Sequence, residues 1–378
     1  MSDSSWSALT LFDLHRLRST PNPEPRTSNP KLPYLNTPSA LICGISGQDG
    51  AYLAQLLLSK GYRVVGTSRD AQGNSFSNLK RLGIKEEVNL ISMDVEDFRS
   101  VLLGIKKSKP EEIYFLSGQS SVSLSFEQPA ETIQSFTVGV LNVLEAVKMM
   151  DYRIKVYHAG SSEAFGDTLG VAATEETPFQ PRSPYALAKA SATWLVNNYR
   201  EAYQLFACTG ILFNHESPLR GREFVTRKIT DSVAKIKLGK LSVVELGNLD
   251  AKRDWGFAKE YVEGMWRMLQ ADEPDTFVLA TNRTETVRDF VSMAFKGAGI
   301  TVDFKGETEN ETAVDVATGR TVMRVNPKFY RPAEVELLIG DPARAKEKLD
   351  WAPTTTLEEL CQMMVEADLR RNQAGFSF

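Results

Sequence analysis

No stretch of the 378-residue chain approaches the roughly 18 uninterrupted apolar residues that a membrane-spanning helix needs, so a soluble protein with no membrane partner is expected. Cysteine is scarce: Cys43, Cys208 and Cys361 are odd in number, far apart and set in apolar runs. They make neither a disulfide framework nor a metal pattern, and point to a reducing, cytoplasmic compartment with no bound metal. Basic tracts are missing too. Lysine and arginine are spread along a chain of net charge −4, which leaves no broad footprint for nucleic acid, although single arginines can still meet phosphates. There is no internal repeat, and the first 38 residues lack the apolar core of a secretory signal. Six prolines among serines and arginines mark residues 1–38 as an added tail or packing arm; Asp3, Asp13 and Glu24 weigh against a transit peptide.

From Ser39 onward, short Val/Ile/Leu runs alternate with longer stretches of helical period, the pattern of βαβ units around a parallel sheet. The spacing predicts strands over 40–45, 62–68, 88–93, 113–116, 155–159 and 207–213. It predicts helices over 51–60, 95–107, 132–150 and 184–203. Beyond Phe213 the alternation fades into a mixed segment with helices over 226–238, 259–269 and 357–370, two of its helix starts marked by Thr286 with Asp289 and Thr356 with Glu359. The expected fold is a doubly wound α/β Rossmann-type sheet, mainly residues 39–215, with a smaller mixed α/β lobe, mainly residues 216–378, and some chain crossing between them.

Gly44, Gly47 and Gly50 follow the first strand and open the first helix, with Gln48 and Asp49 between them. In that context a Gly-x-x-Gly-x-x-Gly run lets the backbone approach a pyrophosphate, whose charge is met by free N–H groups at the helix start. Outside it, the run would read as a glycine-rich turn. The second strand ends at Arg69, where an NAD enzyme tends to carry an acid, so NADP is the expected cofactor, with Asp70 as an opposing charge. Asp94 and Val95 follow the third strand, at the height of an adenine edge; a helix cap is an equal account of Asp94.

Tyr185 and Lys189 stand four apart on one predicted helix, so both project from one face, where an ammonium can lower a phenol's pKa and make it a base. On spacing alone, an amphipathic tyrosine beside a solvated lysine would explain the pair. The strand ending at Ala159 adds weight, because it runs into Gly160, Ser161, Ser162 and Glu163 at the carboxyl edge where such sheets do their chemistry. Ser161 can donate to a substrate oxygen. Glu163 offers a second base, which plain alcohol oxidation does not need; its structural alternative is a carboxylate favoured at a helix start.

Long ordered runs carry a specific resemblance: Thr177 to Tyr185, Gly210 to Pro218, Phe224 to Lys228, Gly247–Asn248, Arg253 to Gly256 and Phe329 to Glu336. Over 39–371 the chain closely resembles the GDP-mannose 4,6-dehydratase family of extended short-chain dehydrogenases/reductases. The resemblance implies an internal redox cycle on GDP-mannose or a related GDP-sugar. In it Tyr185 takes the proton of the sugar's 4-hydroxyl as hydride leaves C4, Ser161 hydrogen-bonds O4, Glu163 removes the C5 proton and assists loss of water from C6, and hydride returns to C6. Lys189 would hold the nicotinamide ribose and tune Tyr185. By the same resemblance Leu116, His215 and Arg220 belong with the cofactor. Ser121, Ser125, Glu127, Asn214, Lys228, Gly247, Arg253, Arg331 and Glu334 belong with the GDP-sugar. Each of these charged residues could otherwise be a surface ion-pair partner. A homodimer through the family's helix pair, or a homotetramer, is implied as well. Four departures bear on this: Ser161 for a usual threonine, Ser121 for a common histidine, Leu219 for an arginine, and Asp70 for the second arginine of a pair. An epimerase, decarboxylase or reductase of a nucleotide sugar would share the glycine loop and the Tyr–Lys pair, a heptose analogue would differ by one hydroxymethyl, and a non-catalytic relative would have lost Tyr185 or Lys189.

Overall fold

A computed structural model describes residues 37–330 and 335–375. The long tail expectation for residues 1–38 therefore lies almost wholly outside the described residues. Six strands, β1 (Ser39–Cys43), β2 (Arg63–Ser68), β3 (Asn89–Ser92), β4 (Glu112–Phe115), β5 (Lys155–Ser161) and β6 (Ala207–Leu212), fall where the apolar runs predict them. A seventh, Thr276–Leu279, joins from far along the chain. The sheet is parallel throughout, in the order Thr276–Leu279, β6, β5, β4, β1, β2, β3. Strands buried on both faces read as continuous apolar runs, which is why β1 could be found and why it is buried at every position.

Each face of the sheet has its own core. On one, Leu53 and Leu57 of helix Gln48–Ser59 meet Met265 and Leu269 of helix Ala258–Gln270 against Ile42, Tyr157 and Phe277. On the other, Val101, Ile105, Val143, Leu144 and Val196, from helices Phe98–Ser108, Gly139–Lys148 and Pro184–Tyr203, cover Leu41, Ile113 and Val156. Helices on both faces of a parallel sheet with its order reversing between β1 and β4 make the doubly wound Rossmann-type fold, and its switch point opens a crevice above the carboxyl ends of the strands.

A third core joins helices Val225–Lys237, Val287–Gly297 and Leu357–Gln373 to a four-stranded sheet of Val302–Lys305, Thr312–Asp315, Thr321–Val325 and Val244–Leu246. Both capping boxes form. Thr286 and Asp289, and Thr356 and Glu359, satisfy each other's backbone N–H groups at the starts of their helices. The predicted helix over 132–150 differs: it is Pro129–Ile133, then five residues of π-helix at Gln134–Val138, then Gly139–Lys148. The predicted helix over 95–107 starts later, at Phe98, because Asp97, not Asp94, accepts the N–H of Arg99 as its cap.

Candidate active site

The glycine loop turns where β1 ends. Gly44 has φ +85°, and a Cβ there would lie 2.8 Å from the Leu116 carbonyl oxygen; at Gly50 it would lie 2.5 Å from that of Gly44. Only glycine lets the turn close this tightly. Gly47 precedes helix Gln48–Ser59 with no side chain to cap it, so the first amide groups of the helix have no side-chain acceptor at the loop. That is the arrangement in which an anion is held. A dinucleotide pyrophosphate fits this cradle, and it forms one wall of a cleft of about 930 Å³.

The loop is tied to the chain beyond β6. Gln48 donates to the His215 carbonyl (3.0 Å) and accepts from the Ser217 hydroxyl (2.6 Å). His215 reaches the Asp49 carboxylate through Nε2 (2.8 Å) and the Phe213 carbonyl through Nδ1 (2.7 Å), its ring stacked 4.7 Å from that of Tyr261. Both neighbours only accept, so both ring nitrogens donate and the ring is an imidazolium. Burial opposes the charge, but Asp49 outweighs it and holds the His215 pKa up; His215 and Arg220 in turn hold Asp49 low against its burial.

Ser161, Glu163, Tyr185 and Lys189 share the opposite wall, all buried. Ser161 ends β5 and caps the 3-10 turn Ser162–Phe165 by accepting the Glu163 N–H at 3.3 Å, which fixes serine and carboxylate side by side. Ser183 caps helix Pro184–Tyr203, with Pro184 at its first turn, so Tyr185 and Lys189 enter one turn apart. Burial pushes the Tyr185 phenol up to about 12; the Ser161 hydroxyl lies close enough to lower it, and the Glu163 charge raises it again. Lys189 donates to the Ala159 carbonyl (2.9 Å), and burial brings it down to about 7 against the pull of Asp49.

The cleft is lined by Gly44, Gly47, Gln48, Asp49, Gly50, Arg69, Val95, Leu116, His215 and Arg220, by Ser121 at the start of helix Val122–Glu127, and by Asn214, Lys228, Gly247 and Arg253. Three residues named from the sequence are elsewhere. Asp94 accepts the Glu96 N–H within its own turn. Ser125 is fully buried with its hydroxyl on the Val122 carbonyl, and Glu127 is exposed, because the short helix Val122–Glu127 offers the cleft its first turn only. Arg331 and Glu334 lie outside the described residues. Aromatic walls escaped the sequence reading: Lys228 Nζ stands 3.4 Å from the Phe329 ring centroid, the Arg220 guanidinium 3.6 Å from that of Phe224, and Phe136 lines the cleft beside Tyr185. Their signal was the aromatic residue itself, indistinguishable in a sequence from core. Among the described residues no group of three or more His, Cys, Asp or Glu could hold a metal, and no helix is long and apolar enough to cross a membrane.

Solved structures with this fold include the UDP-glucose 4-epimerase of Thermus thermophilus, in complex with NAD, at TM-score 0.73 and 22% identity over 87% of this chain and 98% of that one. The dTDP-glucose 4,6-dehydratase of Streptomyces venezuelae gives 0.74 and 17% over 90% and 99%. In sequence, the GDP-mannose 4,6-dehydratase of Yersinia enterocolitica is 46% identical over 349 residues, 88% of this chain and 94% of that protein. Its human counterpart, GDP-mannose 4,6 dehydratase, is 48% identical over 338 residues, 87% and 91%. The GDP-mannose 4,6 dehydratase family model matches residues 41–364, and the chain belongs to that family.

Proposed function

We propose that this protein is a hydro-lyase that converts GDP-mannose to GDP-4-keto-6-deoxymannose by an internal redox cycle on NADP. The observation that carries the reading is the wall on which Glu163, a base surplus to oxidation, stands beside the Ser161–Tyr185 pair. When bound, the oxidised nicotinamide supplies the hydride acceptor and a positive charge. Burial holds the Tyr185 phenol up at about 12, so the positive charges of the bound nicotinamide and of Lys189, 5.8 Å from its ring, would be needed to make it the phenolate that takes the proton of the sugar's 4-hydroxyl, with Ser161 on O4. The 4-ketone acidifies C5–H. Glu163 then removes that proton and passes it to the C6 hydroxyl, which leaves as water; hydride is returned to C6 of the resulting alkene while C5 regains a proton, the one Tyr185 took from the 4-hydroxyl closing the balance.

Preference for NADP rests on Arg69 at the cleft and on what Asp70 does: its carboxylate accepts the N–H groups of Gln72 and Gly73, both at 2.9 Å, and so is turned into its own loop. Asn214, Lys228, Gly247 and Arg253, with Phe329, form the end suited to the GDP portion, arginine and lysine matching pyrophosphate. In this reading residues 39–215 mainly hold the dinucleotide and 216–378 mainly the nucleotide sugar, and the three free, buried thiols fit a cytoplasmic setting. The protein works as a homo-oligomer through the outer face of helix Pro184–Tyr203, where Leu187 and Trp194 are exposed. The test is incubation of the protein with GDP-mannose and NADP, or NAD, followed by mass spectrometry. Loss of one water with faster turnover on NADP is expected; intact GDP-mannose overturns the reading, and faster turnover of a GDP-heptose moves the substrate.

A further inference from the structure

The π-helical segment Gln134–Val138 inserts an extra residue into the helical turn, a distortion that gathers at functional sites. Here it delivers Phe136 to the cleft. The ring is 2% exposed. It meets Tyr185 edge to face, centroids 5.5 Å apart at 85°, and Lys189 Nζ lies 3.9 Å from its centroid, against 5.8 Å to the Tyr185 ring. Behind it is Gly118, at φ +128°, where a Cβ would come within 2.2 Å of the ring. Thr137 ties the segment to the catalytic helix by donating to the Ala188 carbonyl at 3.3 Å. The ring therefore has one place to be, and that place gives its electron-rich face to the ammonium and its contact to the phenol.

We propose that Phe136 is a positioning residue of the reaction, holding the Lys189 ammonium over its face and the Tyr185 ring at its edge, so that the pair keeps both its geometry and its charge in a buried wall. A desolvated ammonium with one carbonyl partner is opposed by its burial, and an aromatic face offsets part of that cost. The other groups around Lys189 are few. His158 of β5 is kept neutral by burial and by Lys189 itself; Asp49, paired with His215, favours the charge; Glu163, Arg220 and Tyr185 complete the wall. Segment Gln134–Val138 brings no titratable group. Glu127 and Glu131 of the neighbouring short helices are exposed, while Glu145 and Lys148 pair with each other beside Tyr199.

The inference takes Tyr185 and Lys189 as the catalytic pair of the proposed dehydratase, and its test reads Lys189 directly. In protein with 13Cε-labelled lysine, Lys189→Met identifies the Lys189 signal and its titration midpoint is followed by NMR. Phe136→Leu keeps apolar volume but removes the ring face; a ring-fluorinated phenylalanine at 136 keeps the shape and drains the face. The midpoint should fall by about one pH unit in Phe136→Leu and in the same direction with the fluorinated ring. The alkaline limb of the dehydration pH profile should fall with it, since charge on Lys189 is lost as pH rises. An unmoved midpoint, or an unmoved limb beside a lowered kcat, overturns the proposal in favour of a packing role. If Phe136→Leu does not fold, the fluorinated protein decides alone. Wild type that titrates as expected but leaves GDP-mannose intact fails the dehydratase reading, not this one.

Discussion

At the scale of single residues, the proposed function rests on Glu163, the residue assigned to separate dehydration from oxidation. In the proposed cycle Tyr185 and Lys189 remove hydrogen from C4, C5–H needs a base elsewhere on the ring, and Glu163 is the carboxylate whose backbone N–H the Ser161 cap holds beside them. Glu163→Gln should bind NADP and GDP-mannose yet lose dehydration by about 10² to 10⁴ in rate and exchange almost no solvent deuterium into C5. Near-normal C5 exchange would remove Glu163 from the mechanism. The Asp49–His215 pair makes a prediction of a different kind. The His215 pKa is raised above its usual 6.5, so its contribution to stability is complete below 6.5 and is lost as pH rises through the folded value. That of Asp49 is lowered from 3.8, so its contribution is present above 3.8 and lost as pH falls through the folded value. The pair therefore contributes most between about pH 4 and 6.5. Asp49→Asn should lower the urea midpoint in that window, with the deficit shrinking at alkaline pH; a deficit independent of pH would deny His215 its charge.

Among elements, two helices of the third core are joined by a buried ion pair. Arg227 of helix Val225–Lys237 is 1% exposed and donates through Nε to both oxygens of Asp368 in helix Leu357–Gln373 (3.0 and 2.8 Å), while Thr230 donates at 2.8 Å and Arg371 at 3.1 Å. A buried carboxylate so fully bonded does not raise stability above an apolar pair, but removing one side strands the other. Asp368→Leu should cost about 3 to 5 kcal/mol in urea unfolding and loosen the helix that carries Lys228 into the cleft. A loss under 1 kcal/mol, on the order of a surface pair, would show that the guanidinium finds water instead. Such a pair was invisible in the sequence: residues 227 and 368 are 141 apart, and nothing local announces the contact. The capping boxes at Thr286 and Thr356, by contrast, are interactions of residues three apart and were legible.

For the whole molecule, assembly turns on the outer face of helix Pro184–Tyr203. Leu187 and Trp194, seven residues apart and so on one face, are 49% and 64% exposed, and Met149 is 60% exposed. Large apolar side chains left in water on one face are what a second copy would cover. Light scattering should show a dimer or larger, and Trp194→Glu should shift it toward the 42.0 kDa monomer. Wild type running as a monomer would remove the homo-oligomer from the proposal.

The sequence by itself determined the parallel sheet, the glycine loop, both caps and the Ser161–Glu163 and Tyr185–Lys189 segments, because each depends on residues within a few positions of one another, where period, φ and hydrogen-bond reach are local. Asp94 could be placed beside the site but not aimed at it, since the direction of its carboxylate hangs on which neighbour, Asp94 or Asp97, caps the next helix. Tertiary structure alone decided that Thr276–Leu279 closes the sheet and that His215 charges against Asp49 across 166 positions. It alone turned Phe136, one apolar residue in a helical period, onto Tyr185 and Lys189. Those outcomes depend on burial and on distances between segments far apart in the chain, and neither quantity exists until the cores have formed.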